Sequence, residues 1–223
     1  EEFCSKLIEK KYDLKYKMLM NPRTFGNDQN KVLELCAKSG ANCLGIGMQT
    51  ADVSTLEAIN RTPDTPEKLK EVVKIAHKNG IMTYVPFIVG FPHEPEDAPE
   101  KIIKLVDKVR PMLIDCYPLI YLKNTVLEKG LNDGEYSNKY SYEERVTKAT
   151  KVKKHFYSSP KNLLQFFFWL CKNNPKWILY MSSHWFFFIK FVFGAKIKTR
   201  SNVRDFMYHH DSKANTDSDT RIN

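Results

Sequence analysis

The chain has 223 residues, 42% of them hydrophobic and 27% charged, which is ordinary globular composition and enough for a core over its first part. Its length suits one domain with an extension, or one and a half domains. The formal net charge of +9 is uneven, with Lys148, Lys151, Lys153 and Lys154 in one cluster and Lys190, Lys196, Lys198 and Arg200 in another. Such clusters suit nucleic acid, anionic lipid or plain water, and a solvated face is the plainer reading.

The five cysteines (Cys4, Cys36, Cys43, Cys116 and Cys171) are scattered, with no C-x-x-C pair and no zinc-type spacing. With no signal-peptide pattern in view, reduced thiols in the cytoplasm are expected, with Cys43 and Cys116 as buried small hydrophobes. The first helix, Glu1–Tyr12, opens without an N-cap and carries Phe3, Leu7 and Ile8 on one stripe. That opening predicts a fragment whose N-terminal part is missing.

Lys15–Met20 alternates like a strand and stops at Asn21-Pro22. A helix over Asn30–Lys38 follows, with Asp28 as its expected cap and Ser39-Gly40 as its end. Cys43–Met48 reads as a strand, Asp52–Ile59 as a short helix, and Asn60-Arg61-Thr62-Pro63 as a turn. Thr65–Asn79 is an amphipathic helix with Pro66 in its first turn and Gly80 at its end. Strand Met82–Val89, helix Ala98–Val109 and strand Leu113–Tyr121 complete an α-β-α-β-α-β-α-β order, the signature of a parallel sheet.

Beyond Lys129, Gly130–Tyr140 reads as a boundary loop, and Ser141 with Glu144 as a capping box that opens a basic helix to about Phe156. Leu163–Leu170 and Trp177–Phe193 are dense in aromatic residues. Ser182, Ser183, His184 and Lys190 interrupt the second run, so a helix lying on a membrane surface fits better than a spanning one. Packing of these helices onto the rest of the protein fits equally well. His209 to Asn223 is a polar tail expected to be disordered.

Ligand sites in parallel α/β folds lie past the carboxyl ends of strands. Here those places are Gln49-Thr50-Ala51-Asp52 and Gly90-Phe91-Pro92-His93-Glu94. Gly45 and Gly47 leave room where backbone must approach a ligand or a packed helix. Gln49 both donates and accepts hydrogen bonds, while Gly90 and Pro92 suit a flat heterocycle held by main chain and apolar faces. His93 and Glu94 form an acid–base pair on paper, though a solvated loop is the commoner meaning.

Together, G-I-G-M-Q-T-x-D-x-x-x-L-x-x-I-N-R, then a helix ending in N-G-I, then F-I-V-G-F-P-x-E resemble the radical S-adenosylmethionine (SAM) enzymes, especially the branch with an N-terminal cobalamin-binding domain. The resemblance covers roughly Glu1 to Leu131, and H-F-Y-x-x-P beyond it is similar to the same branch. It implies an α/β fold: the C-terminal part of a partial, six-stranded parallel barrel, followed by a helical extension. It also implies a 4Fe–4S cluster on a C-x-x-x-C-x-x-C loop, with one iron left to chelate SAM, and a cobalamin in that branch. By position, Gln49 and Thr50 would face the ribose or methionyl part of SAM. Ile88, Gly90 and Phe91 would line the adenine, and Arg23 would reach the SAM carboxylate.

The chain departs from the family pattern in several places. It has no C-x-x-x-C-x-x-C, His93-Glu94-Pro95 replaces the usual Gly-Glu-Thr, Pro86 stands where Gly is common, and Leu122-Lys123-Asn124-Thr125 replaces Pro-Gly-Thr. The expected organisation is residues 1–134 as barrel, 135–200 as basic, aromatic helical extension and 201–223 as tail. The expected function is the C-terminal portion of a radical SAM enzyme, inactive by itself, with a small-molecule or lipid-like substrate, peripheral membrane contact through residues 163–193 and no nucleic-acid role. The rival reading is a non-catalytic, membrane-peripheral scaffold. A phosphate-binding barrel ranks third, because the Lys123-Asn124-Thr125 loop lacks glycines.

Overall fold

The computed structural model describes residues 1–25, 28–62, 64–135, 139–173 and 175. Trp177–Phe193, the polar tail and the second basic cluster lie outside the described residues.

Helix α1 (Glu2–Glu9) is shorter than its expected span because Lys11 turns into the left-handed region at φ 52°. Strand β1 (Tyr16–Met20) ends at Asn21, and a 3-10 turn covers Pro22–Phe25. Asp28 stands at the start of α2 (Gln29–Lys38), but its side chain makes no capping bond, contrary to expectation. Strand β2 occupies Ala41–Ile46, two residues earlier than its sequence pattern suggests, and α3 (Val53–Ala58) follows. Helix α4 (Pro66–Lys78) is capped by Thr65, whose hydroxyl accepts from Lys68 N at 3.2 Å.

Strand β3 (Met82–Val89) and α5 (Ala98–Val109) match their expected limits. Strand β4 (Leu113–Pro118) stops three residues early, at a proline that has no N–H to donate. Helix α6 (Val126–Asn132) takes up ground expected to begin a loop. Its start is fixed reciprocally: Thr125 Oγ1 accepts from Glu128 N, and Glu128 Oε2 accepts from Asn124 N at 2.6 Å. Helix α7 (Tyr142–Ser158) begins with the expected Ser141/Glu144 capping box, and α8 covers Pro160–Asn173.

The four strands form one parallel sheet in the order β1-β2-β3-β4. Each strand lies beside its predecessor, as in a singly wound β/α barrel, rather than reversing as in a doubly wound sheet. Along β3 the residues alternate between half-buried and buried, so Thr83, Val85, Phe87 and Val89 face the core. That face meets α2, α4, α5 and α7 through Leu33, Leu69, Val72, Ile102, Val152 and Phe156. The other face is open: Leu19 is exposed, Lys17 lies over the Tyr84 ring, and the Tyr84 and Tyr117 hydroxyls are 3.0 Å apart.

The described residues form one compact unit, in which α7 packs against β4, β3 and α5. The lysines of α7 are largely taken up by that packing. Lys148 pairs with Glu96, Lys151 with Glu100 and Lys153 with Asp115, while His155 lies 3.0 Å from Asp107. Much of the first basic cluster therefore faces acids of the same fold. All five cysteines are free thiols, and Cys43 and Cys116 are buried as expected.

Candidate functional site at the carboxyl ends of the strands

Three loops meet at one end of the sheet, and a buried charge pair ties two of them together. Asp64 is fully buried, and Arg61 Nε lies 2.7 Å from its Oδ2. The approach is poorly aligned for a hydrogen bond, so attraction between the charges holds the pair. The second guanidinium arm donates to the Gly47 carbonyl at 2.5 Å and to Asn21 Oδ1 at 2.9 Å. Asp64 Oδ1 also accepts from Arg23 N at 3.1 Å. One Arg–Asp pair thus fixes the loops after β1 and β2. Arg61 is the Arg of I-N-R, which the sequence marks only as part of a turn.

The question left by Gly45 and Gly47 has a local answer. A side chain at Gly45 would run into Leu19, and one at Gly47 would begin 3.0 Å from Gln49 Nε2 and 3.4 Å from Asn21 Oδ1. These glycines make room for the protein's own side chains.

Gln49 has a left-handed backbone, φ 70°, and its carbonyl accepts from Ile88 N at 2.6 Å. A single parallel bridge to Phe87 therefore joins the loop after β2 to the end of β3. This brings Gln49 and Ile88, both half-buried, side by side at the open face. Thr50 is fully buried and its hydroxyl accepts from Asp52 N at 3.3 Å. Asp52 caps α3, accepting from Thr55 N at 2.9 Å, and lies 2.6 Å from Lys101 Nζ. Burial alone would push the Asp52 carboxyl up. The Lys101 ammonium, Ser54 and Thr55 outweigh that and hold it well below the usual carboxylate range.

The loop after β3 is closed in a different way. Gly90, at φ 93°, donates its N–H to Glu94 Oε2 at 2.5 Å, and the Arg145 methylenes occupy the space a side chain there would need. Arg145, in the first turn of α7, is itself buried. Its Nη1 donates to the Leu119 carbonyl at 2.7 Å and its guanidinium lies over the Tyr121 ring. Phe91 is 7% exposed. Of the residues singled out in sequence, Gln49 and Ile88 reach the open face. Thr50, Gly90 and Phe91 lie beneath it as support. The Arg23 residue is exposed on the neighbouring loop.

His93 and Glu94 do not act as a pair, since His93 is exposed and Glu94 is fully buried. Burial pushes the Glu94 carboxyl up to about 7, against the pull of the Gly90 N–H and the Lys148 charge. The folded form therefore holds its proton more tightly than the unfolded chain. Stability from this group is full below its ordinary 4.5 and is lost as pH rises through about 7, the reverse of a paired carboxylate. In urea unfolding between pH 5 and 8, Glu94→Gln is expected to flatten the parent's decline; identical slopes would show that Glu94 does not carry it.

Among the described residues no group of three or more His, Cys, Asp or Glu is placed to hold a metal. Cys4, Cys36, Cys43 and Cys116 are buried and Cys171 stands exposed on α8. These residues do not fit an iron–sulfur cluster. Gln49 presents an amide and Ile88 an apolar side chain side by side at the strand ends.

Residues 1–106 match the sequence profile of the Radical SAM superfamily. An uncharacterized protein of Methanocaldococcus jannaschii is 31% identical over 93 residues, 42% of this chain and 29% of that protein. Among solved structures, coproporphyrinogen III oxidase of Escherichia coli, described as a radical SAM enzyme, aligns with a TM-score of 0.53 at 17% identity, covering 69% of this chain and 36% of its own. Elp3 of Methanocaldococcus infernus aligns with the same TM-score at 19% identity, covering 63% of this chain and 33% of its own. The chain thus spans about a third of the length of the proteins it matches. The likeness to the Radical SAM superfamily thus lies in residues 1–106 by sequence, and the parallel α/β fold is shared with coproporphyrinogen III oxidase.

Proposed function

We propose that this chain supplies part of the SAM-binding wall of a radical SAM enzyme whose cluster-ligating cysteines lie outside these 223 residues. The observation that carries the reading is the Gln49–Ile88 junction, where the ends of two adjacent strands present an amide and an apolar side chain at one open face. The superfamily match over residues 1–106 supports it. In this reading the Gln49 amide bonds the ribose or methionyl part of SAM, and Ile88 packs against the adenine. Thr50, Gly90 and Phe91 hold the loops beneath the ligand, with Arg23 at the carboxylate end. Residues outside this chain would hold the cluster, which would supply the electron for SAM cleavage, and cobalamin use would belong to the same longer protein. The substrate is proposed to be a small or lipid-like molecule.

Two measurements test this. After anaerobic reconstitution the 223-residue chain is expected to bind no iron and sulfide and to release no 5′-deoxyadenosine from SAM; cluster assembly and SAM cleavage by this chain alone would overturn the division of labour. In a longer, cluster-bearing protein, Gln49→Ala is expected to weaken SAM binding about tenfold, the worth of one hydrogen bond. Iron and sulfide content should stay unchanged. Equal affinity in parent and variant would remove Gln49 from the site.

A further inference from the structure

Helix α8 is docked with its amphipathic sense partly inverted. Its inward contacts include amides: Asn162 Nδ2 donates to the Phe156 carbonyl at 3.1 Å, and Gln165 Nε2 to the Arg110 carbonyl at 2.8 Å. Leu170 is its buried apolar residue. The outward stripe carries Leu164, Phe167 and Phe168, which are 55%, 47% and 65% exposed, with Lys161 and Lys172 at either end. A helix at a water-facing surface normally turns its polar side outward. Here two phenylalanine rings meet edge-on at 6.0 Å on the exposed side.

The surrounding sequence indicates what would cover that stripe. From Ser159 to Arg204 there are eight lysines and arginines, twelve aromatic residues and no Asp or Glu. A protein groove would satisfy the rings without needing the charge bias. An anionic lipid surface satisfies both, since rings enter the headgroup boundary while lysine stems run along it and place their ammonium groups among lipid phosphates. Among the described residues no helix is long and apolar enough to cross a membrane, so α8 would lie along the surface.

We propose that α8 is a membrane-docking helix for anionic lipid, with Leu164, Phe167 and Phe168 as the inserted residues and Lys161 and Lys172 at the headgroups. This proposal stands apart from the SAM reading, because it uses neither the strand-end loops nor a cofactor. It is tested by flotation of the whole chain with vesicles of phosphatidylcholine alone, or of phosphatidylcholine mixed with phosphatidylglycerol. Parent protein is expected to float with the anionic vesicles, to stay behind with the neutral ones, and to detach as salt is raised. Phe167→Ser with Phe168→Ser is expected to lower partitioning by about tenfold or more. Both rings are exposed, so the unfolding curve of the double variant should match that of the parent. Equal flotation of parent and variant would overturn the proposal, as would absence of flotation. Displacement from anionic vesicles by single-stranded RNA at a charge concentration matched to the lipid would overturn it in favour of nucleic acid.

Discussion

Arg61→Ala is expected to cost the folded chain about 3–5 kcal/mol, because it leaves the fully buried Asp64 carboxylate without its counter-charge. The same change frees the Gly47 carbonyl and Asn21, so the loops after β1 and β2 lose their shared anchor. Urea unfolding followed by circular dichroism reads the stability. The double variant Arg61→Ala/Asp64→Ala should lose less than the two single variants summed, since removing both partners leaves no buried unpaired charge. A loss below about 1 kcal/mol for Arg61→Ala would mean that water or loop movement already satisfies Asp64. The result bears on function as well, because Gln49 is carried by one of the loops this pair secures.

Phe156→Ala is the second large effect, also about 3–5 kcal/mol. Phe156 is 1% exposed, meets Tyr157 edge-on at 5.1 Å and belongs to the same core as the sheet residues. If α7 is part of the sheet's cooperative unit, the whole unfolding transition should move to lower urea with its slope retained. A split curve, with the sheet's own transition unmoved, would show that α7 is an appendage that melts separately.

The reading of the sequence succeeded where one signal dominated. The strand expected at Met82–Val89, the helix expected at Ala98–Val109 and the Ser141/Glu144 capping box all stand in the structure. The parallel order followed from helices alternating with strands. Helix α6 was missed although Thr125 and Glu128 carry the same capping spacing as Ser141 and Glu144, because the glycine- and asparagine-rich stretch beside it outweighed seven helical residues.

The candidate site was legible as two loops but not as a network. Neither Arg61 nor Asp64 has a local pattern that announces a buried pair, and Arg145 approaches Gly90 from 55 residues away. Such contacts depend on how the layers close, which periodicity does not encode. The glycines show the limit most plainly: sequence says that space is needed, while only the fold says whether a ligand or the protein's own side chain fills it.

The left-handed backbone of Gln49 also bears on how this position tolerates change. At φ 70° a β-branched residue is disfavoured by its own Cβ, whatever the loop has to bind. A saturation library at this codon should therefore return glycine, asparagine and unbranched side chains among folded clones, and be depleted of valine, isoleucine and threonine. Selection for a new ligand would have a narrow alphabet at this position and a wider one at Ile88, whose extended backbone accepts branched and unbranched residues alike.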